Sequence, residues 1–546
     1  MRVVPGADPV LVVGAGPVGQ TTALLLARWQ VPVILLDDRP ARDAVGSKAI
    51  CQQRDVLDIW DSVGAGARIA GEGLTWTVAR TYHRGAELFS YPVADPGASE
   101  FPAFVNISQT RTEQILDDCI AARPLIETRW NHEIVELEQA ATGVLARTVD
   151  GREVRGAYAV LCAGSRADSL RTRLGIEFDG QSFDDRFLIC DIRADLPGWA
   201  DERRFYFDPE WNPGRQILIH PCPDSTFRID WQVPGDYTVD TLRAEEVDGR
   251  LERRIRAIIG ETDYEIVWSS VYRFHSRCAS RLRVGRVLLA GDAAHLVSPF
   301  GARGLNSGVA DAENAAWKIA YAYHGWAGPR LLESYHDERH AAALENIAVT
   351  TETMNFLVPG TEEHRARRIE VLERARSEVA AHAEVNSGRF AEPFWYRHSP
   401  LTTTDPERRQ AGRPPRGELP PLGPGVLLPD APIRHPRHRR LRELARGGVS
   451  LLHGAAVEPR CLRDAQRAIP GPVTTTCVTH LDPDGSLARD LDLQPADVWV
   501  LRPDAHVAAA LRAPTSANLL AATRVAVGFD AASSPRQGGP TPIGPR

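Results

Sequence analysis

Three glycines and an acid near the amino terminus have the spacing of a phosphate-handling turn. In DPVLVVGAGPVGQTTALLLARWQVPVILLDDRP, Gly14, Gly16 and Gly19 follow the apolar run Val10–Val13 and precede an apolar helix predicted to reach Trp29. The first glycine of such a turn bends it tightly, the second lets the backbone approach a pyrophosphate, and the third packs helix on strand. The helix amino end, with its unpaired amides and positive dipole, takes the phosphates. A second strand, Val33–Leu36, ends in Asp37, where a carboxylate is placed to hold a ribose hydroxyl. The expected dinucleotide contacts are Gly14, Ala15, Gly16, Pro17, Val18 and Gly19, with the acids Asp37 and Asp38.

A distant stretch, VLLAGDAAHLVSPFGARGLNSGVADAENAAWKIA from Val287 to Ala320, has matching chemistry. Val287–Ala290 reads as a buried strand stopped by Gly291. Asp292 follows at the strand's carboxyl end, where open α/β sheets hold their ligands. Gly301 and Gly304 let the backbone approach a flat ligand, and Asn306 or Ser307 is the expected cap of the next helix.

Together these stretches resemble the FAD-dependent aromatic hydroxylases, the single-component flavoprotein monooxygenases related to phenol hydroxylase and hydroxyphenylpropionate hydroxylase. The resemblance runs from residue 8 to 350 and more loosely to 528, and is most specific over GDAAH…P…G…GLN…DAEN…WK, Gly291 to Lys318. It implies bound FAD, with NADPH or NADH as reductant. It also implies roles by position: Asp292 on the ribityl–pyrophosphate region, Lys48 near the phosphates, and Gln109 as a hydrogen-bond partner of FAD. Pro299 would lie over the flavin near the oxygen chemistry, and the Leu305 and Asn306 amides would face the pyrimidine edge. Lysine at 48 replaces the usual arginine, which keeps charge but loses bidentate phosphate binding. Two further departures stand out. Ile50 occupies the position where phenol hydroxylase carries an acidic base, and Ala163-Gly164 replaces the family's Asp-Gly motif.

The fold implied is α/β: a Rossmann-type FAD-binding domain with an inserted antiparallel β substrate domain, and a C-terminal thioredoxin-like domain lacking CxxC. Residues 1–177 and 270–407 are the expected FAD-binding domain, with a helical extension from residue 325. Residues 178–269 are the substrate domain, where RFLICDIRADL, RQILIHPCP and FRIDWQVPG read as strands. A Pro/Gly-rich linker at 408–424 opens the unit at 425–530, which has a structural role or makes an oligomer contact, and 531–546 is an expected disordered tail. The Arg434–Arg442 run reads as a solvated loop, and Tyr335–His340 as a surface element.

At 546 residues the chain suits two or three domains, and 43% hydrophobic with 25% charged residues is ordinary for a globular protein. A net charge of −7 argues against a general nucleic-acid or anionic-membrane surface. The eight cysteines are scattered, with no CxxC, and read as reduced thiols in a cytoplasmic protein. Nothing in the chain has the length and apolarity of a membrane span, and the amino terminus lacks the apolar core of an export signal. HDERH lacks the Glu and third ligand of a zinc site, so no metal is expected.

In the substrate domain Arg215, His220, Arg228 and Trp231 are the candidate pocket residues, with His220 and Pro299 the candidates nearest to catalysis. The implied reaction is hydroxylation of an aromatic, phenolic ring with NAD(P)H and O2 through a flavin C4a-hydroperoxide. Two other readings stay open. One is an oxygenase of a polycyclic, polyketide-like substrate, by hydroxylation or Baeyer–Villiger ring cleavage. The other, suggested by Ala163 and Ile50, is a non-hydroxylating FAD-binding protein that sequesters an intermediate. The expected partners are a small aromatic molecule and O2, with a homodimer compatible with the third unit.

Overall fold

The computed structural model describes residues 8–44, 46, 48–93, 99–388, 390–405, 421–482 and 484–531. Most of the expected linker and nearly all of the expected tail lie outside these residues. Internal contacts divide the chain into two units, residues 1–316 with 339–393, and 317–338 with 394–546.

The first unit contains a six-stranded sheet in the order Arg283–Val284, Val287–Leu289, Tyr158–Leu161, Val10–Val13, Val33–Leu36, Ile126–Arg129. All neighbours are parallel except the first, antiparallel edge pair. Val10–Val13, Val33–Leu36 and Tyr158–Leu161 are buried along their whole length, as strands covered on both faces must be, which explains their continuous apolar runs. The chain moves outward from Val10–Val13 to Ile126–Arg129, then returns to fill the other side from Tyr158–Leu161. That reversal is a topological switch point, and its crevice opens at the strands' carboxyl ends. Gly14 and Ala163 lie there on neighbouring strands, and Gly291-Asp292 on the next.

The second sheet of this unit has eight strands and is larger than the expected 178–269 segment. Its order is His295–Leu296, Tyr264–Ala279, Phe178–Ala194, Thr226–Val233, Gln216–Cys222, Glu202–Phe207, Val78–His83, Ala86–Pro92. Two of these strands are long, at 17 and 16 residues. Val78–His83 is drawn in by parallel pairing with Glu202–Phe207. It turns into Ala86–Pro92 through Arg84-Gly85, both at positive φ, which suits a two-residue hairpin. One face of the sheet is apolar and packs Leu188, Ile219, Ile229 and Trp231 with Leu251 and Ile255 of the helices Val239–Asp248 and Arg250–Ile259.

The second unit holds a four-stranded sheet in the order Val473–Cys477, Val449–His453, Val498–Leu501, Val507–Leu511. The first pair is parallel and the others antiparallel, the last being the hairpin predicted around Pro503-Asp504. All eight cysteines are free, and Cys461 and Cys477 are buried. Beside the sheet, the Glu338 carboxylate accepts Lys318 Nζ at 2.6 Å and Arg502 Nη1 at 2.6 Å, and Arg502 Nη2 donates to Asp504 at 2.6 Å. The expectation of a surface element at Tyr335–His340 is therefore wrong: Tyr335 and Glu338 are buried, the latter because two cations neutralise it. Arg442 is likewise buried, donating to the Leu428 carbonyl at 2.6 Å. Among the described residues no helix is long and apolar enough to cross a membrane, and no three His, Cys, Asp or Glu gather as a metal site.

Candidate functional site

The glycine turn at the switch point shows a different necessity at each position. Gly14 has φ +106°, its amide donates to the Leu36 carbonyl at 2.7 Å, and a Cβ there would lie 2.3 Å from the Cys162 carbonyl oxygen. A Cβ on Gly19 would lie 1.8 Å from the Gly14 oxygen, so helix and strand touch at backbone distance. Gly16 is the exception, with no protein atom within 4 Å of its would-be Cβ. It opens the helix Pro17–Arg28, whose amino end has no side-chain cap. Free amides and an open face at that point form a cradle for an anion, and the pyrophosphate of a dinucleotide fits it.

Asp37 is buried, and its carboxylate accepts the Ala15 amide at 2.7 Å, the Arg39 amide at 3.0 Å and both ends of the Arg39 guanidinium at 2.8 and 3.1 Å. Burial opposes ionisation, but these donors hold its carboxyl below the usual range. All four acceptor directions are taken, so a ribose hydroxyl reaches Asp37 only by displacing Arg39. Asp38 is exposed and pairs with Arg166 at 3.0 Å, beside the Ala163-Gly164 turn.

The Gly291-Asp292 turn is held from behind by Asp311, which is fully buried. Asp311 accepts the Gly291 amide at 2.9 Å, His295 Nε2 at 2.7 Å and Arg339 Nε at 2.6 Å. Gly291 has φ +61°, and Val18 packs against both Gly291 and Gly308, so the two glycine-bearing stretches meet. The Asp292 carboxylate reaches solvent while protein encloses the rest of it. That enclosure pushes its pKa up, against the attraction of His295 and of Lys48 across the crevice. Pro299 and Lys48 are exposed as well. An accessible acid within electrostatic reach of a lysine, on a turn packed against Val18 of the glycine-turn helix, suits a polar, phosphate-bearing cofactor, and FAD fits this donor set.

The loop at 48–53 is tied down on two sides. Gln109 accepts the Ala49 amide at 3.1 Å and donates to Glu113 at 2.9 Å. Asn306 accepts the Gln53 amide at 2.9 Å and donates to the Cys51 and Ala302 carbonyls at 3.0 and 2.6 Å. The helix begins at Arg303, so neither Asn306 nor Ser307 is its cap; the Asn306 side chain is spent on the loop instead. Gly301, at φ +89°, and Ala302, at φ +55°, turn the chain into this helix, with Gly304 and Leu305 half-buried in its first turn. Arg303 is buried, donating to Asn346 at 2.6 Å and the Phe390 carbonyl at 3.0 Å.

The eight-stranded sheet turns a polar face toward this loop. Cross-strand register pairs His220 with Arg228, Leu218 with Asp230, and Arg228 with Asp191, so His220, Arg228, Asp230 and Asp191 share one face. Arg228 grips Asp191 with two hydrogen bonds at 2.8 and 2.9 Å, and its Nη1 donates to the Lys48 carbonyl at 3.0 Å. His220 Nδ1 and Asp230 Oδ1 are buried and have no hydrogen-bond partner among the described residues. Burial, with Arg203 and Arg228 nearby, pushes the His220 pKa well down. Burial pushes the Asp230 carboxyl up to about 7, with Asp191 adding to the rise and Arg228 opposing it.

Two predicted pocket residues are not part of this face. Trp231 alternates onto the other side, into the apolar cluster against the helices. Arg215 precedes the strand and pairs with Asp185 at 3.2 Å, toward the end away from His220. Sequence reasoning missed Asp191, Asp311, Arg339 and Gly308 as site supports. Asp311 stands in the DAEN run and Arg339 in the Tyr335–His340 element, which read as surface rather than as a support of the site.

The comparisons with known proteins agree with this geometry. A family model described as "FAD binding domain" matches residues 8–350. The chain is 32% identical over 386 residues to dialkyldecalin synthase of Streptomyces rugosporus, covering 70% of this chain and 78% of that one. It is 29% identical over 373 residues to 3-(3-hydroxy-phenyl)propionate/3-hydroxycinnamic acid hydroxylase of Mycobacterium sp. (strain JLS), covering 68% of this chain but 64% of that one. The solved structure of the flavin-dependent monooxygenase PieE, in complex with FAD and substrate, superposes with a TM-score of 0.82 at 25% identity, covering 96% of this chain and 98% of that one.

Proposed function

The chain belongs to the FAD-dependent flavoprotein monooxygenases, and from that premise we propose that it hydroxylates an aromatic ring bearing an ionisable hydroxyl, with NADPH or NADH as reductant. The observation that carries this reading is the polar sheet face beside the Lys48 loop, where His220 and Asp230 offer unpartnered atoms and Arg228 joins face to loop. Bound FAD supplies the activation of dioxygen for such a transfer. The chain's own residues do the rest. Lys48 and the Gly16 cradle bind phosphate, Asp292 orients the ribityl side, and Asp311 keeps that turn rigid. Trp76, packed 4.8 Å from Phe104 and facing the His220 ring at 6.5 Å, keeps water from the apolar end of the face. Phenols and polycyclic, polyketide-derived phenols both meet this requirement.

A second reading has its own support. The dialkyldecalin synthase relative, a solved Diels-Alderase structure that superposes with a TM-score of 0.66 at 26% identity, and Ala163, where the family's Asp-Gly motif has its acid, favour a redox-neutral ring closure in the same cleft. Anaerobic mixing of the FAD-loaded protein with NADPH or NADH separates the two. Hydroxylation predicts that a phenol such as 3-(3-hydroxyphenyl)propionate or a polycyclic hydroxyquinone accelerates bleaching of the flavin band. Flavin that neither nucleotide reduces with any of these ligands contradicts it and supports ring closure.

The four-stranded unit is best read as a thioredoxin-like domain. Its single parallel pair followed by two antiparallel pairs, flanked by the helices Pro459–Gln466 and Ser516–Val525, supports that reading. Without a CxxC pair its role is structural or in self-association.

A further inference from the structure

Activating a ring through its hydroxyl requires a group to take the hydroxyl proton. Ile50, at the position where the related phenol hydroxylase has an acid, is a buried hydrocarbon. His220 is poorly suited, because its burial, and then Arg203 and Arg228, disfavour a positive charge on it. Of the other acids near the cleft, Asp191 is committed to Arg228, Asp37 to Arg39 and Ala15, and Asp311 to Arg339 and His295, while Asp292 is assigned to the ribityl side of FAD in the function proposed above.

We propose that Asp230 is the catalytic base that ionises the substrate's phenolic hydroxyl, with Arg228 and His220 positioning it. The claim rests on the hydroxylase reading above and names the residue within it. Its ground is geometric. Asp230 is a diagonal neighbour of His220 on the face turned to the Lys48 loop, and its Oδ1 is buried without a protein donor. One proton moves in the step. The substrate O–H breaks, the proton goes to the carboxylate of the half-buried Asp230, and the electron pair stays on the substrate oxygen, conjugated into the ring carbon to be oxygenated. No electrons are exchanged with the protein. Arg228 stabilises the resulting phenolate, and neutral His220 offers it a hydrogen bond.

The groups facing Asp230 set its titration. Arg228 on its own strand and Asp191 on the neighbouring one act on it directly, and the thiols Cys222 and Cys190 lie within reach of its charge. Strand register puts His220, Arg203 and Tyr272 on the same face of the sheet. A carboxyl pushed up to about 7 in this setting matches a base working near neutral pH.

The test uses the FAD-loaded full chain and product formation from 3-(3-hydroxyphenyl)propionate, 4-nitrophenol and a hydroxyanthraquinone. Wild-type turnover of the phenol it accepts is expected to rise as pH increases through about 7, as the carboxyl loses its proton. Asp230→Asn is expected to lose that rising limb and to fall about 100-fold or more, with Asp230→Glu partly restoring both. A wild-type profile flat across this range overturns the assignment without any variant. So does an Asp230→Asn protein that keeps rate and limb, although the hydroxylase reading then survives. Failure of the wild type to put oxygen into any of the three overturns both together.

Discussion

At the residue scale the decisive groups are those whose charge the surroundings oppose. Asp230 keeps its proton up to about 7 in the folded chain, whereas an unfolded carboxyl loses it near the ordinary carboxylate value. The folded state therefore binds the extra proton between those pH values, and stability falls as pH rises through that window and stays lower above it. Asp230→Asn removes this loss, so its melting temperature is expected to exceed wild type by ~2 °C or more at pH 8, the gain shrinking as pH drops toward 5. A difference that does not vary with pH would show that Asp230 is not held protonated. Part of this was legible beforehand. Period-two alternation along FRIDWQVPG puts Arg228 and Asp230 on one face and Trp231 on the other, although Trp231 stood among the expected pocket residues. What alternation leaves out is register: pairing His220 with Arg228 is a fact about two strands, and neither strand's residues encode it alone.

At the element scale the glycine turn makes a sharp contrast. Gly14→Ala puts a Cβ into the Cys162 carbonyl at positive φ and is expected to reduce soluble, folded protein. Gly16→Ala meets no protein atom, so the chain is expected to fold and melt normally but to purify with FAD content at least several-fold lower, read from its visible absorbance. Equal FAD retention in Gly16→Ala would move the phosphate site elsewhere. Asp311→Asn strips the charge partner from Arg339 and the anchor from Gly291, and is expected to cost about 3–5 kcal/mol of stability and to release FAD. Denaturant titration together with flavin fluorescence checks both effects. The two fingerprints were readable because turn, strand and helix chemistry are local. The start of the later helix at Arg303 was not, because Asn306 answers to the distant backbone of Cys51 and Gln53.

At the scale of the whole molecule, the switch to short strands after Phe178 was visible in the sequence, and the family resemblance supplied the plan of a nucleotide-binding sheet with an antiparallel partner sheet. The extent of the partner sheet was not. Val78–His83 and Ala86–Pro92 are at most half-buried; the first joins the sheet by pairing with Glu202–Phe207, far along the chain, and carries the second with it as a hairpin. The buried Lys318–Glu338–Arg502–Asp504 cluster was equally hidden, because charges in sequence read as surface until their partners are known. Arg502→Ala leaves Glu338 and Asp504 undercompensated and is expected to destabilise the second unit by about 3–5 kcal/mol, seen as an earlier tryptophan-fluorescence transition in denaturant. The central claim, oxygen transfer to an ionised aromatic, is tested most directly by turnover under isotope-labelled dioxygen with mass spectrometry of the product. The account predicts one labelled oxygen atom in the product for each reduced nicotinamide consumed. A product isomeric with its substrate, formed without label and without nicotinamide oxidation, would contradict it and establish ring closure in the same cleft.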